Sequence, residues 1–227
     1  MADTLTLPPR ARQAFDRLAI DLQRIFGIRL VALVASGPRS SVAFAEPVAS
    51  GDLEALGALV ETWHREGLDT PLVLTPEEFR RSLDTFPLEY QTLADRHVVI
   101  SGVPPFQALE IDRDHLRRAC EIQAKGYLLY LRQGWIDAAG HHDRLAMLLV
   151  ASAPRLRALL TNVARLEGLV LDANTALAGA AAAGLPEDLV SAMLGLDDAP
   201  ERAPALAAKL HQYLRLAEDL WTFVDRW

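Results

Sequence analysis

The sequence is short of several features that would announce a function at once. It has one cysteine, Cys120, which excludes an internal disulfide framework and the paired thiolates of a CxxC zinc site. It has no basic run: the formal net charge is -7, with 10 Lys/Arg against 14 Asp/Glu in residues 1–106 and 13 against 16 in residues 107–227. Affinity for polyanions comes largely from cations that neutralise phosphates, so nucleic acid is not an expected partner. No apolar stretch reaches the roughly 18 residues of a spanning helix. The opening MADTLTLPPR lacks the basic and apolar regions of a signal peptide, so no membrane association and a cytoplasmic location are expected. Phosphate loops of the Gly-x-x-x-x-Gly-Lys type and Gly-x-Ser-x-Gly nucleophile elbows are also missing.

What is present is a well-punctuated globular chain, 51% hydrophobic and 23% charged. Phe15, Leu18, Ala19, Leu22, Ile25 and Phe26 recur at the one-face spacing of an amphipathic helix, and Gly27 ends it. Leu30 to Ala35 and Ser41 to Glu46 read as two neighbouring strands joined by a turn at Gly37-Pro38. Ser50 or Asp52 can cap a helix carrying Leu53, Leu56, Val60 and Trp63 up to Gly67, and Pro71 to Leu74 reads as a third strand. In TPEEFRRSL, Thr75, Pro76 and Glu78 form the start signal of a capping box. LEYQTLA after Phe86-Pro87 and then HVVISG read as two further strands, ending at Gly102-Val103-Pro104-Pro105.

Beyond Ile111 every apolar pattern is helical. Asp112 or Asp114 can cap a helix with Leu116, Cys120, Tyr127, Leu131 and Trp135 on one side. A second long helix follows from Asp143 to about Glu167, where Pro154 should kink or divide it. After the alanine-rich ANTALAGAAAAG, Pro186 opens a short helix. A long terminal one then carries Leu206, Leu210, Tyr213, Leu214, Leu220 and Phe223. Four or five such helices make a bundle.

The order strand, small-residue turn with serine, strand, helix, strand, then helices resembles the nucleotidyltransferase superfamily with its polymerase-beta-like fold. Thr70 to Gly102, TPLVLTPEEFRRSLDTFPLEYQTLADRHVVISG, is similar to a segment of bacterial nucleotidyltransferase-like proteins, with its Phe-Pro-[Leu/Ile]-Glu strand and His-x-Val-Leu-x-Gly strand. The resemblance covers about residues 10–135. It implies an α+β protein: a nucleotidyltransferase-like domain with a small mixed sheet over residues 1–106, and an α-helical bundle over 107–227. In that superfamily Gly-Ser ends the first strand, Asp-x-Asp lies on the second, and a third carboxylate follows, because hard Mg²⁺ ions beside a triphosphate need oxygen ligands.

Here Ala35-Ser36 replaces Gly-Ser, and Ser40-Ser41-Val42-Ala43-Phe44 has hydroxyls but no acid. The residues that can still cradle a nucleotide or other anion are Ser36, Gly37, Arg39, Ser40 and Ser41, although the same residues also read as a plain surface turn, in which Pro38 removes one backbone donor. Glu46 and Asp52 are the nearest carboxylates, either solubilising and capping groups or a relocated metal pair. His97 near Asp95 reads as structural. His141-His142-Asp143 sits at a helix start, where adjacent side chains diverge. No histidine follows an arginine at the spacing of the ribonucleases that accompany this fold.

The expectation is therefore a degenerate, non-catalytic nucleotidyltransferase-fold binding or regulatory module with no cofactor, serving a protein partner or a homodimer. The alternatives are an active enzyme using Mg²⁺ with a nucleoside triphosphate, and an antitoxin-like partner of a helical toxin. Of the terminal aromatics Trp221, Phe223 and Trp227, one tryptophan is expected inward and the other exposed as a dimer contact.

Overall fold

The computed structural model describes residues 5–106, 109–172 and 174–227. The chain divides into two compact units, one ending at Ile111 and the other running from Asp112 to Trp227. The division expected at 106/107 falls on residues 107 and 108, outside the described residues, as do residues 1–4 of the opening segment and residue 173 of the alanine-rich one.

The first unit opens with α1 (Pro9–Phe26), whose Ala14, Phe15, Leu18, Leu22 and Phe26 are buried. Gly27 follows at φ +57°, which releases the chain into β1 (Leu30–Ala35). β1 pairs antiparallel with β2 (Ser41–Ala45), from Ala35 opposite Ser41 to Leu30 opposite Ala45. Two short helices, α2 (Ser50–Gly57) and α3 (Val60–Arg65), replace the single helix expected between the strands. Trp63 is buried and donates its indole N–H to Asp21 at 3.0 Å. β3 (Leu72–Leu74) then lies parallel to β2.

The capping box at α4 (Pro76–Arg81) forms as read, with Glu78 N–H to Thr75 Oγ1 at 3.0 Å and Thr75 N–H to Glu78 Oε2 at 2.7 Å. LEYQTLA is not a strand. It lies in α5 (Pro87–Asp95), because Pro87 at the first helical position has the required φ and its missing N–H is one the helix start does not use. Gln91 donates to Asp95 one turn on, at 2.8 Å.

β4 (Val98–Gly102) completes a mixed sheet of order β3-β2-β1-β4, with β4 antiparallel to β1. Gly102 stands opposite Ala32 at φ +73°, where a Cβ would lie 2.0 Å from the Val31 carbonyl oxygen.

The β1–β2 hairpin at the centre of the sheet is covered on both faces. Leu33, Ala35, Ala43 and Ala45 pack on α1, Trp63 and Leu68. Ala32, Val34, Val42 and Phe44 pack on Phe79, Tyr90 and Leu93.

The second unit is helical: α6 (Arg113–Ala138), α7 (His142–Leu166), α8 (Thr175–Ala182), α9 (Glu187–Leu194), α10 (Ala203–Ala207) and α11 (Leu210–Val224). Asp112 caps α6, accepting from Asp114 N–H at 2.7 Å. α7 runs unbroken through Pro154. An internal proline costs a helix about 3 kcal/mol, and here Ala153, Leu156, Leu159, Leu160 and Val163, all fully buried around it, offset that cost. The long terminal helix expected is split into α10 and α11 at Ala208 and Lys209, and Pro186 stands just before α9 as its cap.

Trp221 and Trp227 are both half-buried rather than one in and one out. Lys125 Nζ sits 3.4 Å from the Trp221 ring centroid, and Phe223 meets Trp227 edge-on at 5.5 Å.

α8 lies against α7 so closely that a Cβ on Gly179 would stand 2.0 Å from the Leu160 carbonyl oxygen. A backbone atom cannot turn aside as a side-chain end can. Gly179→Ala is expected to lower the unfolding free energy by about 2 kcal/mol or more, read as an earlier midpoint in urea at unchanged slope.

Candidate functional site

The turn after β1 is closed by Ser36 N–H donating to the Ser40 carbonyl at 2.9 Å. The Arg39 side chain is exposed, but its fork is engaged by a carboxylate. Its Nη2 and Nε donate to Asp69 Oδ1 at 2.9 and 3.2 Å, Ser40 Oγ reaches Asp69 Oδ2 at 3.4 Å, and Asp69 N–H returns to the Arg39 carbonyl at 3.0 Å. Ser36, Arg39 and Ser40 are thus gathered on the exposed turn with Gly37 half-buried among them, and a carboxylate of the chain itself holds the cation. Ser41 is separated from them: it is buried, and its hydroxyl has no hydrogen-bond partner among the described residues. Its pairing with Ala35 puts it on the face packed against α1.

On the opposite face, a cavity of about 210 Å³ lies beside Ser36, lined by Val42, Leu72 and Leu93 with Glu89, Tyr90, Thr92 and Arg96. Glu89, Thr92, Leu93 and Arg96 are spaced i, i+3, i+4 and i+7, one side of α5 and the residue that caps it. Reading LEYQTLA as a strand hid this grouping. Pro87 followed by an acid at Glu89, a helix-start pattern, was the signal that would have found it. Thr92 Oγ1 donates to the Leu88 carbonyl at 2.7 Å, and Tyr90 Oη lies 3.2 Å from Ser82 Oγ.

Beneath this cavity the sheet face is aromatic. Phe44 meets Phe79 at 5.5 Å and Phe106 at 5.8 Å, both edge-on, and Phe79 lies 4.7 Å from Tyr90. His97 joins the same cluster, its ring 4.8 Å from Phe106 and its Nδ1 3.0 Å from the Leu93 carbonyl.

Asp52 is committed elsewhere. Arg29 Nη1 and Nη2 donate to its two oxygens at 2.7 and 2.8 Å, and Ala49 N–H donates to Oδ2 at 2.8 Å. Ala49, not Ser50 or Asp52, occupies the cap position, and Asp52 serves the start of α2 from its third residue. Arg29 also donates to the Pro47 carbonyl at 3.0 Å and the Ile25 carbonyl at 3.2 Å, so one guanidinium ties the end of α1, the exit of β2 and the start of α2. Its hydrogen bonds, with that of Ala49, hold the Asp52 carboxyl down at about 2.

Glu46 has an exposed side chain, and its N–H donates to the Arg29 carbonyl at 2.9 Å. Among the described residues no group of three or more His, Cys, Asp or Glu gathers at metal-binding reach. His141 precedes α7 and His142 opens it, both exposed. Cys120 is fully buried on α6, and burial pushes its thiol up to about 12.

A Mg²⁺ ion needs several unengaged oxygens. The residues of β2 and its turn do not supply them. No family model matches the chain, and neither a curated protein nor a solved structure matches it.

Because Asp52 titrates at about 2 in the folded chain and near 3.8 ordinarily, its contribution is fully present above that ordinary value and is lost as pH falls through the folded one. Asp52→Asn is therefore expected to melt below the unaltered protein at neutral pH. The gap between the two melting temperatures should close between about pH 4 and pH 2, as followed by circular dichroism.

Proposed function

We propose that the first unit is a degenerate nucleotidyltransferase-like domain that works by binding and not by nucleotidyl transfer. One observation carries the reading: every residue of β2 is buried. The strand that bears the metal-binding acids in active members of that superfamily here sits between two apolar layers. An acid pair at alternate positions would face either α1 and Trp63 or the Phe44, Phe79 and Phe106 cluster. Either face would impose a large desolvation cost on a carboxylate.

Three further features support the reading. The chain order hairpin, helices, parallel third strand fits the resemblance, although α5 departs from the strand expected at Phe-Pro-Leu-Glu. The nearby carboxylates Asp52 and Asp69 are held by Arg29 and Arg39. The cavity beside Ser36, at about 210 Å³, is smaller than the roughly 300 Å³ at which ligand sites for drug-sized molecules begin.

Incubation with Mg²⁺ and each labelled nucleoside triphosphate is expected to leave no label on the protein or on any added acceptor. Incorporation that Glu46→Ala or Glu89→Ala abolishes, in a chain that still melts cooperatively, would overturn the reading. The aromatic seal is expected to be structural: Phe44→Ala should cost about 3–5 kcal/mol in chemical denaturation. A loss under 1 kcal/mol would show the face to be loosely covered.

A further inference from the structure

α6 carries a second surface, unrelated to the Ser36 turn. Ile122, Leu129 and Ile136 are 74, 51 and 72% exposed, and they stand seven residues apart along a helix of 26 residues. The same helix buries Leu116, Cys120, Ala124, Tyr127, Leu128 and Leu131 on its other side, so the outward stripe is not the margin of that core.

Three residues before each aliphatic stand Ala119, Gly126 and Gln133. Together they make the two alternating seam positions of a heptad, one aliphatic throughout and the other small at Ala119 and Gly126 and polar at Gln133. Gly126 is exposed, and a Cβ there would touch nothing within 4 Å. The small positions leave room for a neighbouring backbone to come close.

The charge beside the seam selects the neighbour. One flank carries Arg118, Lys125 and Arg132, again at intervals of seven residues. Arg132 holds Glu218 at 2.6 Å and Lys125 lies on the Trp221 ring, while Arg118 and Lys125 have no carboxylate partner among the described residues. The other flank, Gln123, Tyr130 and Asp137, carries a single charge, the carboxylate of Asp137. Two antiparallel copies of α6 would set the basic flank against itself. Two parallel copies would stack Gly126 on Gly126, leaving that layer of the seam unfilled, and set the polar Gln133 against itself.

We propose that this face of α6 docks an amphipathic helix of a partner protein, with large aliphatic residues at its seam and glutamate or aspartate along the flank that meets Arg118 and Lys125. The aliphatic residues of the incoming helix fill the spaces over Ala119 and Gly126, and Ile122, Leu129 and Ile136 pack between them. Binding of this kind weakens as ionic strength rises, because the charged flank is solvent-exposed.

The test uses the full chain and two synthetic helical peptides with identical leucine seams, one flanked by glutamate and one by lysine, titrated by fluorescence anisotropy. The glutamate peptide is expected to bind, the lysine peptide to bind at least roughly tenfold more weakly, and Leu129→Glu to weaken the glutamate peptide by a similar factor. Ile136→Glu serves as a second variant. Because both side chains are exposed, each variant should keep the melting temperature of the parent.

No binding of the glutamate peptide, equal binding of both peptides, or binding unmoved by both substitutions would overturn the proposal. So would a concentration-dependent dimer of the unaltered chain that Leu129→Glu dissolves, since that outcome gives the face to a second copy.

Discussion

Burial of the β1–β2 hairpin on both faces is the constraint from which the rest of the first unit follows. A strand with one wet face can alternate polar and apolar residues; β2 cannot, and its sequence Ser-Val-Ala-Phe-Ala has no charge to desolvate. α1 must then be apolar along one side to cover Leu33, Ala35, Ala43 and Ala45. The segment from Thr75 to Asp95 must supply Phe79, Tyr90 and Leu93 for the other face. The polar groups around the hairpin are displaced to its ends, where Arg29 engages Asp52 and Arg39 engages Asp69. These pairs differ in kind. The first is partly buried, bidentate and shared with backbone carbonyls at two other points; the second lies in solvent, where an ion pair adds little.

Elements with local signals were legible. The α1 stripe, the β1–β2 hairpin, the Thr75 capping box and the Asp112 cap all form where the residues place them, because each depends on contacts within a few positions of the chain. Elsewhere distant packing overrides local preference. LEYQTLA is composed of residues acceptable in a strand, yet Pro87 and the need to cover Phe79 make it a helix. Pro154 reads as a helix breaker, yet the leucines on both sides of it are locked in the core. The break at Ala58-Leu59 follows Gly57, the last residue of α2, whereas the break at Ala208-Lys209 has no adjacent glycine or proline to announce it.

The candidate site was half legible for the same reason. Ser36, Arg39 and Ser40 belong to a turn that the sequence marks with glycine and proline. Across the cavity from Ser36, Glu89, Thr92 and Arg96 become neighbours only once α5 is a helix. Nothing local shows that Asp69 holds Arg39, since the two are thirty residues apart. Ser41 shows the converse: adjacent to Ser40 in the chain, it faces the other side of the sheet, as the two-residue period of a strand requires.

Cys120 lies on the buried side of α6. Thiol reagents attack the thiolate, and this sulfur is the only one of its kind in the chain, sealed inside the helical unit with its proton held tightly. Its modification rate is therefore a clock for the opening of α6 from its neighbours, set by the free energy of that excursion. The molecule carries its own single-site reporter of breathing, with no engineered label to disturb the packing it measures.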